Sequence, residues 1–287
     1  MTELVRPLPA QQAREWPSVA AVRARAPGEN FTVASLLLGR LTAGHLRAIY
    51  LFARLVDELG DAAPGDRLAH LDRAEEELTR AFAGSTTEPV FAELAVTVRA
   101  CTLPPEPFLR LIEANRRDQV QSRYETFDDL LAYCDLSASP VGELVLHVLG
   151  AADAERIRWS DDVCTALQLI EHWQDVGEDA RSGRVYLPAA DRLRFGVGER
   201  DLLAATTSEP LRRLLELETK RAARLLASGR PLVASLRGRA RFAVAGYVGG
   251  GDAAIRALVR ARYDVLPRGP RAGRARRLWA TAAALPA

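Results

Sequence analysis

The stretch HLRAIYLFARLVDELGD, residues 45–61, decides the fold. Its apolar residues recur every three or four positions and Ala and Leu dominate, the pattern of an amphipathic helix. Within it, Tyr50, Arg54, Asp57 and Asp61 are spaced by four, three and four. That spacing puts all of them on one helix face, while Leu51, Leu55, Val56 and Leu59 fill the neighbouring positions. Two carboxylates one turn apart can share a hard cation through oxygen, as Mg²⁺ prefers. An arginine one turn above them can fork onto a phosphate. Alone, an acidic pair at this spacing is the ordinary mark of a salt-bridged surface face.

A second stretch, SDDVCTALQLIEHWQDVGEDARSG at residues 160–183, changes that balance. Its pattern predicts one long helix with a Ser/Asp cap at its start. Gln168, Glu171, Asp175 and Asp179 follow at spacings of three, four and four, beside Leu167, Leu169, Ile170, Trp173 and Val176. Like charges at i,i+4 destabilise a helix by about 0.2–0.5 kcal/mol per pair, a cost that a shared cation offsets. If the two faces meet across a helical cavity, their carboxylates can hold several Mg²⁺ ions, which would make a diphosphate a good leaving group. Such ionisation needs no nucleophilic side chain. The remainder of the cavity should be apolar and aromatic, to steer a carbocation.

The remainder of the chain reads as helix with turns. The helix of residues 45–61 ends at DAAPGD. LAHLDRAEEELTRAFAG is a second helix closed by Gly84, and STTEP opens a third that ends near Cys101. PPEPFLRLIEANRRDQVQSR starts with prolines tolerated in a first turn. FDDLLAYCDLSASPVGELVLHVLG reads as one or two helices around Pro140. Three helical segments follow the second acidic stretch, at roughly 199–206, 209–228 and 231–264. Period-two alternation is nearly absent, so strands are not expected beyond a short one near Val185–Leu187. The chain is therefore all-α and reads as a single domain over residues 29–265, between an irregular N-terminal arm (1–28) and a basic tail (266–287). The tail's plain reading is solvated and mobile. A sharper one is contact with anionic lipid head groups, which clustered Arg favours.

The 287 residues carry a net charge of +2, so no global field points to nucleic acid. Lys220 is the one lysine among 39 basic residues. Cys101, Cys134 and Cys164 show neither CxxC spacing nor a His partner at metal-ligand spacing, which argues against a disulfide framework and suits a reducing cytoplasm. No signal-peptide pattern opens the sequence, and no apolar run has the length needed to cross a bilayer. The expected location is cytoplasmic, in the sharper reading peripheral to the inner face of the membrane. His147 and His172 read as helix-packing residues rather than bases.

These motifs resemble those of the squalene and phytoene synthases. Tyr50, Phe52, Arg54, Asp57 and Asp61 match that family's first aspartate-rich motif, and Gln168, Leu169, Asp175, Val176, Glu178 and Asp179 its second. Between them, Tyr133, Cys134, Ala138, Pro140, Val141 and Gly142 resemble its Tyr-Cys helix. Gly183–Pro188 (GRVYLP) resembles its following loop, and Asn30, Phe31, Ala34 and Ser35 its first helix. All five lie in family order over residues 29–265. The resemblance implies one isoprenoid-synthase helical domain around a central cavity, with Mg²⁺ bound by Asp57, Asp61, Asp175 and Asp179. It implies diphosphate contacts from Arg54, Arg184, Gln168 and Asn30, with Tyr50 and Tyr133 at the reacting centre.

Several positions depart from the family pattern. Glu171 stands where Asn is usual, Gln174 where Arg is usual, and Asn30 where Ser is usual, preceded by acidic Glu29 where a basic residue is common. A pocket with less positive charge suits one diphosphate better than two. Together with RYETFDDLL (residues 123–131) and WQDV (173–176), these features are similar to one branch, the bacterial hydroxysqualene synthases of squalene and hopanoid biosynthesis. That resemblance implies conversion of presqualene diphosphate and water to hydroxysqualene and diphosphate, with no NADPH, since no hydride is delivered. Glu171 is then either a metal ligand or a holder of the capturing water, or else the partner of a nearby Arg. The other readings are a presqualene diphosphate, dehydrosqualene or phytoene synthase, and a catalytically silent binding or assembly protein.

Overall fold

The computed structural model describes residues 38–266, 269–273, 281 and 283–285. Twelve helices lie among them: α1 (Arg40–Asp61), α2 (Arg67–Ala83), α3 (Pro89–Cys101), α4 (Glu106–Asp118), α5 (Phe127–Ser137), α6 (Ser139–Val148), α7 (Ala154–Arg181), α8 (Ala189–Phe195), α9 (Glu199–Leu202), α10 (Glu209–Gly229), α11 (Pro231–Ser235) and α12 (Gly238–Arg260). Among the described residues there is no strand. Near Val185, a single parallel bridge pairs Arg123 with Val185, and Val185 N donates to Ser122 O at 2.9 Å. The N-terminal arm and Asn30 lie outside the described residues.

Helix starts follow local chemistry. Asp66 accepts from Ala69 N, Asp153 from Glu155 N and Arg156 N, and Ser208 from Leu211 N. Thr126 and Asp129 form a capping box at the start of α5. α7 thus begins at Ala154, six residues before the Ser/Asp start read from sequence, because Asp153 is the side chain that caps it. The helix read as continuous over 231–264 breaks into α11 and α12, where Leu236 and Arg237 are extended and Gly238 takes φ +54°.

Two large apolar clusters fill the molecule. One joins α1 to α4, with Phe52 edge-on to Phe91 (5.8 Å) and Phe108 (5.1 Å). The other surrounds Trp173 of α7 with side chains of α5, α10 and the loop after α7. α7, of 28 residues, is the spine against which α6, α10 and α12 pack. α12 is long and apolar enough, by length and composition, to cross a membrane, contrary to the run-length reading of the sequence. Half of that apolar window is buried against the protein, however, as in a core helix.

The tail also differs from expectation. Residues 269–272 pack on α7 and α12, and Ala284 and Leu285 pack against the cluster of Leu146, Leu226 and Leu232. The arginines of residues 274–277 lie outside the described residues.

Between α10 and α8, fully buried Glu218 accepts from Arg221 Nη1 at 2.9 Å, and the same nitrogen reaches Asp191 Oδ2 at 2.5 Å. The Arg221 guanidinium lies 4.6 Å from the Phe127 ring centre. Burial pushes the Glu218 carboxyl up to about 8, against the pull of Arg221. The folded state therefore holds this proton more tightly than the unfolded chain. The associated stability is present at acid pH and is lost as pH rises through about 8. Glu218→Gln should match the wild type in thermal melts near pH 5 and exceed it by roughly 1–3 kcal/mol near pH 9. Parallel melting curves across that range would show that Glu218 does not titrate as described.

Candidate active site

The four aspartates lie on the two long helices predicted for them, and each has a different partner. Asp57 accepts from Asn115 Nδ2 of α4 at 3.3 Å. Asp61 accepts from Arg184 Nη2 at 2.5 Å. Asp175 accepts from Arg271 Nη2 at 2.5 Å. Asp179 Oδ2 lies 3.7 Å from His172 Nδ1 on its own helix.

Burial pushes the Asp57 carboxyl up to about 6. The charges of Asp61 and Asp118 add to that rise, while the Asn115 hydrogen bond and the Arg54 charge oppose it. Arg54 is half-buried, and its Nε is enclosed with no hydrogen-bond acceptor among the described residues. Tyr50, also half-buried, packs at the edge of the N-terminal cluster.

Arg184 draws the two acidic helices towards one place. It binds Asp61 of α1 and, with Asp179 and His172 of α7, lines a small cavity closed by Val185, Tyr186 and Leu202. Burial works against its charge, but the hydrogen bond and charge of Asp61 outweigh this and hold it protonated. Asp118, at the end of α4, joins the same field. Its carboxyl is raised by burial against the charge of Arg184, and it accepts from Tyr133 Oη at 2.9 Å. Tyr133 belongs to an aromatic group with Tyr124 (5.3 Å) and Tyr186 (5.9 Å), and His172 stacks on Tyr186 at 3.5 Å. Burial drives the Tyr133 hydroxyl pKa far upward, so it stays a proton donor.

The polar face of α7 divides between two neighbours. Its inner edge is Gln168, His172 and Asp179. Gln168 Nε2 lies 3.1 Å from His172 Nε2, and the other ring nitrogen, Nδ1, faces Asp179. Its outer edge turns to the C-terminal segment: Asp175 and buried Gln174 meet Arg271, and the charge of exposed Glu171 also acts on Arg271. Of the choices left open for Glu171, this surrounding favours the partner of an arginine.

Asn115 and Asp118 went unread in the sequence. Their signal is faint but present, since Asn115 continues the apolar stripe Phe108, Leu111, Ile112 at helical spacing and is buried. His172 is buried and stacked, as a packing residue should be, but it also ties Gln168 to Asp179.

Among the described residues, no three His, Cys, Asp or Glu side chains converge as a closed metal cage. All four aspartates offer oxygen, the donor that hard cations take. An open site of one or two carboxylates at a time suits Mg²⁺, which keeps several waters and uses phosphate oxygens as further ligands. Arg54 Nε, enclosed and without an acceptor among the described residues, is a donor of the kind that phosphate oxygens accept from.

The family model described as squalene/phytoene synthase matches residues 24–278. A phytoene synthase of Arthrospira platensis is 36% identical over 212 residues, 69% of each chain. A hydroxysqualene synthase of Rhodopseudomonas palustris is 35% identical over 215 residues, covering 73% of this chain and 72% of that one. Among solved structures, squalene synthase HpnC from Alicyclobacillus acidocaldarius superposes with a TM-score of 0.80 at 44% identity, over 89% of this chain and 97% of that one.

The α1–α4 crossing that supports Asp57 depends on Gly60. A Cβ there would lie 2.4 Å from Asn115 Oδ1, and the Gly60 carbonyl accepts from Gln119 Nε2 at 2.9 Å. Gly60→Ala should push Asn115 off Asp57 and cost about 1–3 kcal/mol in a denaturant melt. A variant as stable as the wild type would mean that the helices separate freely at this point.

Proposed function

Because this chain belongs to the squalene/phytoene synthase family, we propose that it converts presqualene diphosphate and water into hydroxysqualene and inorganic diphosphate. The observation that carries the diphosphate chemistry is the pairing of acidic helices with arginines, Asp61 with Arg184 and Asp175 with Arg271, beside the enclosed Arg54 Nε. The branch is supported by neutral Gln174 and acidic Glu171 on α7 and by the similarity to hydroxysqualene synthases.

Asp57, Asp61, Asp175 and Asp179 would hold Mg²⁺, which supplies neutralising charge to the departing diphosphate. Arg54 and Arg184 bind its oxygens through guanidinium forks. The carbon–oxygen bond breaks with both electrons leaving on diphosphate. The cation rearranges beside Tyr50, Tyr133 and Tyr186, whose ring faces favour positive charge. Asp118 fixes the Tyr133 ring through its hydroxyl. Water then forms the new carbon–oxygen bond and gives up a proton. No hydride is delivered, so no NADPH is consumed.

A second reading, condensation of two prenyl diphosphates, is favoured by the phytoene synthase similarity and by the guanidinium that Arg271 brings to Gln174. A product assay with Mg²⁺ and no NADPH separates the two. Hydroxysqualene from presqualene diphosphate, with nothing from farnesyl diphosphate, is the expected result. Presqualene diphosphate or a hydrocarbon made from farnesyl or geranylgeranyl diphosphate would replace it with the second reading. Asp57→Asn and Asp175→Asn should each lower turnover about a hundredfold or more while the circular dichroism spectrum is retained. Near-normal turnover in both would refute metal-assisted ionisation. Glu171→Asn, at an exposed position, should change turnover far less than either.

A further inference from the structure

The C-terminal segment meets α7 and α12 through four consecutive residues. Gly269 lies so close to α7 that a Cβ there would sit 2.2 Å from the Gln174 carbonyl oxygen. The Pro270 carbonyl accepts from Gln174 Nε2. Arg271 Nη1 donates to Gln174 Oε1 at 3.0 Å and Nη2 to Asp175 Oδ1 at 2.5 Å. Ala272 is buried with Ala253 and Ala257 of α12. Position 271 is thus anchored on both sides, and the backbone from which its side chain reaches is set.

We propose that Arg271 is a further diphosphate-binding residue of this site, delivered by the C-terminal segment and held on Asp175 and Gln174 until the anion arrives. This rests on the diphosphate chemistry proposed above. A guanidinium carries five N–H donors in a planar fork that matches phosphate oxygens. Two of the Arg271 nitrogens have partners on α7, and the side chain is 50% exposed, so the guanidinium stays accessible to an anion from solvent. Burial works against its charge, but Asp175, Glu171 and Glu178 hold it protonated.

Asp175 could not give its full charge to both a cation and Arg271, so with a cation held there the fork would be free to turn to phosphate oxygens. Arg184 stands in the same relation to Asp61 at the other acidic pair. Gln174 is neutral and buried, and its side chain serves to orient the incoming arginine through both its oxygen and its nitrogen. Positive charge missing from position 174 of the helix is therefore brought there from position 271 of the tail.

Calorimetric titration of the full-length protein with inorganic diphosphate in Mg²⁺ tests this without turnover. Arg271→Gln should bind about ten- to a hundredfold more weakly, as expected for loss of a charge-assisted hydrogen bond, with an unchanged thermal melt. Arg271→Lys, which keeps the charge but loses the fork, should fall between. Adding Gln174→Arg to Arg271→Gln should recover part of the loss, and with presqualene diphosphate the single variant should raise KM more than it lowers kcat. Unchanged diphosphate binding in Arg271→Gln would overturn the proposal alone. So would weakened binding matched by a lower melting temperature and not recovered in the double variant. A wild type that binds no diphosphate would overturn both this and the proposed function.

Discussion

Like charge held close together in a half-buried place is the constraint around which this structure is arranged. Asp57 and Asp61 share one turn of α1, Asp175 and Asp179 one turn of α7, and Asp118 adds a fifth carboxylate. Asp57 and Asp118 are the most enclosed of them, and the carboxyl of Asp57 is driven up to about 6, by burial first and by the Asp61 charge as well. The structure answers with a partner for each aspartate, drawn from different parts of the chain: Asn115 from α4, Tyr133 from α5, Arg184 from the loop after α7, Arg271 from the tail and His172 from α7 itself. None of these partners removes the crowding of charge. They hold it in a state that cations and an anionic ligand would relieve.

That arrangement requires close and rigid helix packing, and the packing comes from small residues at the crossings. Gly60 lets α4 approach α1 closely enough for Asn115 to reach Asp57. Gly142 lets α6 lie on α7, where a Cβ would meet Ser160 Oγ at 2.2 Å, and Gly251 does the same for α12 against Leu167 and Leu226. The two apolar clusters, around Phe52 and Trp173, support α1 and α7 respectively. Each acidic helix thus presents its polar stripe from a separately packed base, and the carboxylates cannot easily relax apart.

Much of the site was legible because helical spacing converts directly into a shared face. Tyr50, Arg54, Asp57 and Asp61 needed no tertiary information to be grouped; Gln168, Glu171, Asp175 and Asp179 were grouped in the same way, but spacing did not show that this face divides, with Asp175 and Glu171 turned to Arg271 and Gln168 and Asp179 to His172. Arg184 was legible through the GRVYLP loop. Asn115 and Asp118 were not, because one polar residue on an apolar stripe looks the same whether it packs or supports an active site. The tail was misread for a similar reason. A run of Gly, Pro and Arg has the composition of a solvated segment, yet Gly269 and Ala272 are small because they lie against α7 and α12.

By itself the sequence determined the helical class, the two acidic faces and their family, since each follows from local periodicity and ordered motifs. Only the tertiary structure decided which charge answers which. Asp61 lies 123 residues from Arg184, and Asp175 lies 96 from Arg271. Pairings across such separations are set by how helices cross and where loops return, because electrostatic attraction acts through space and leaves no period along the chain.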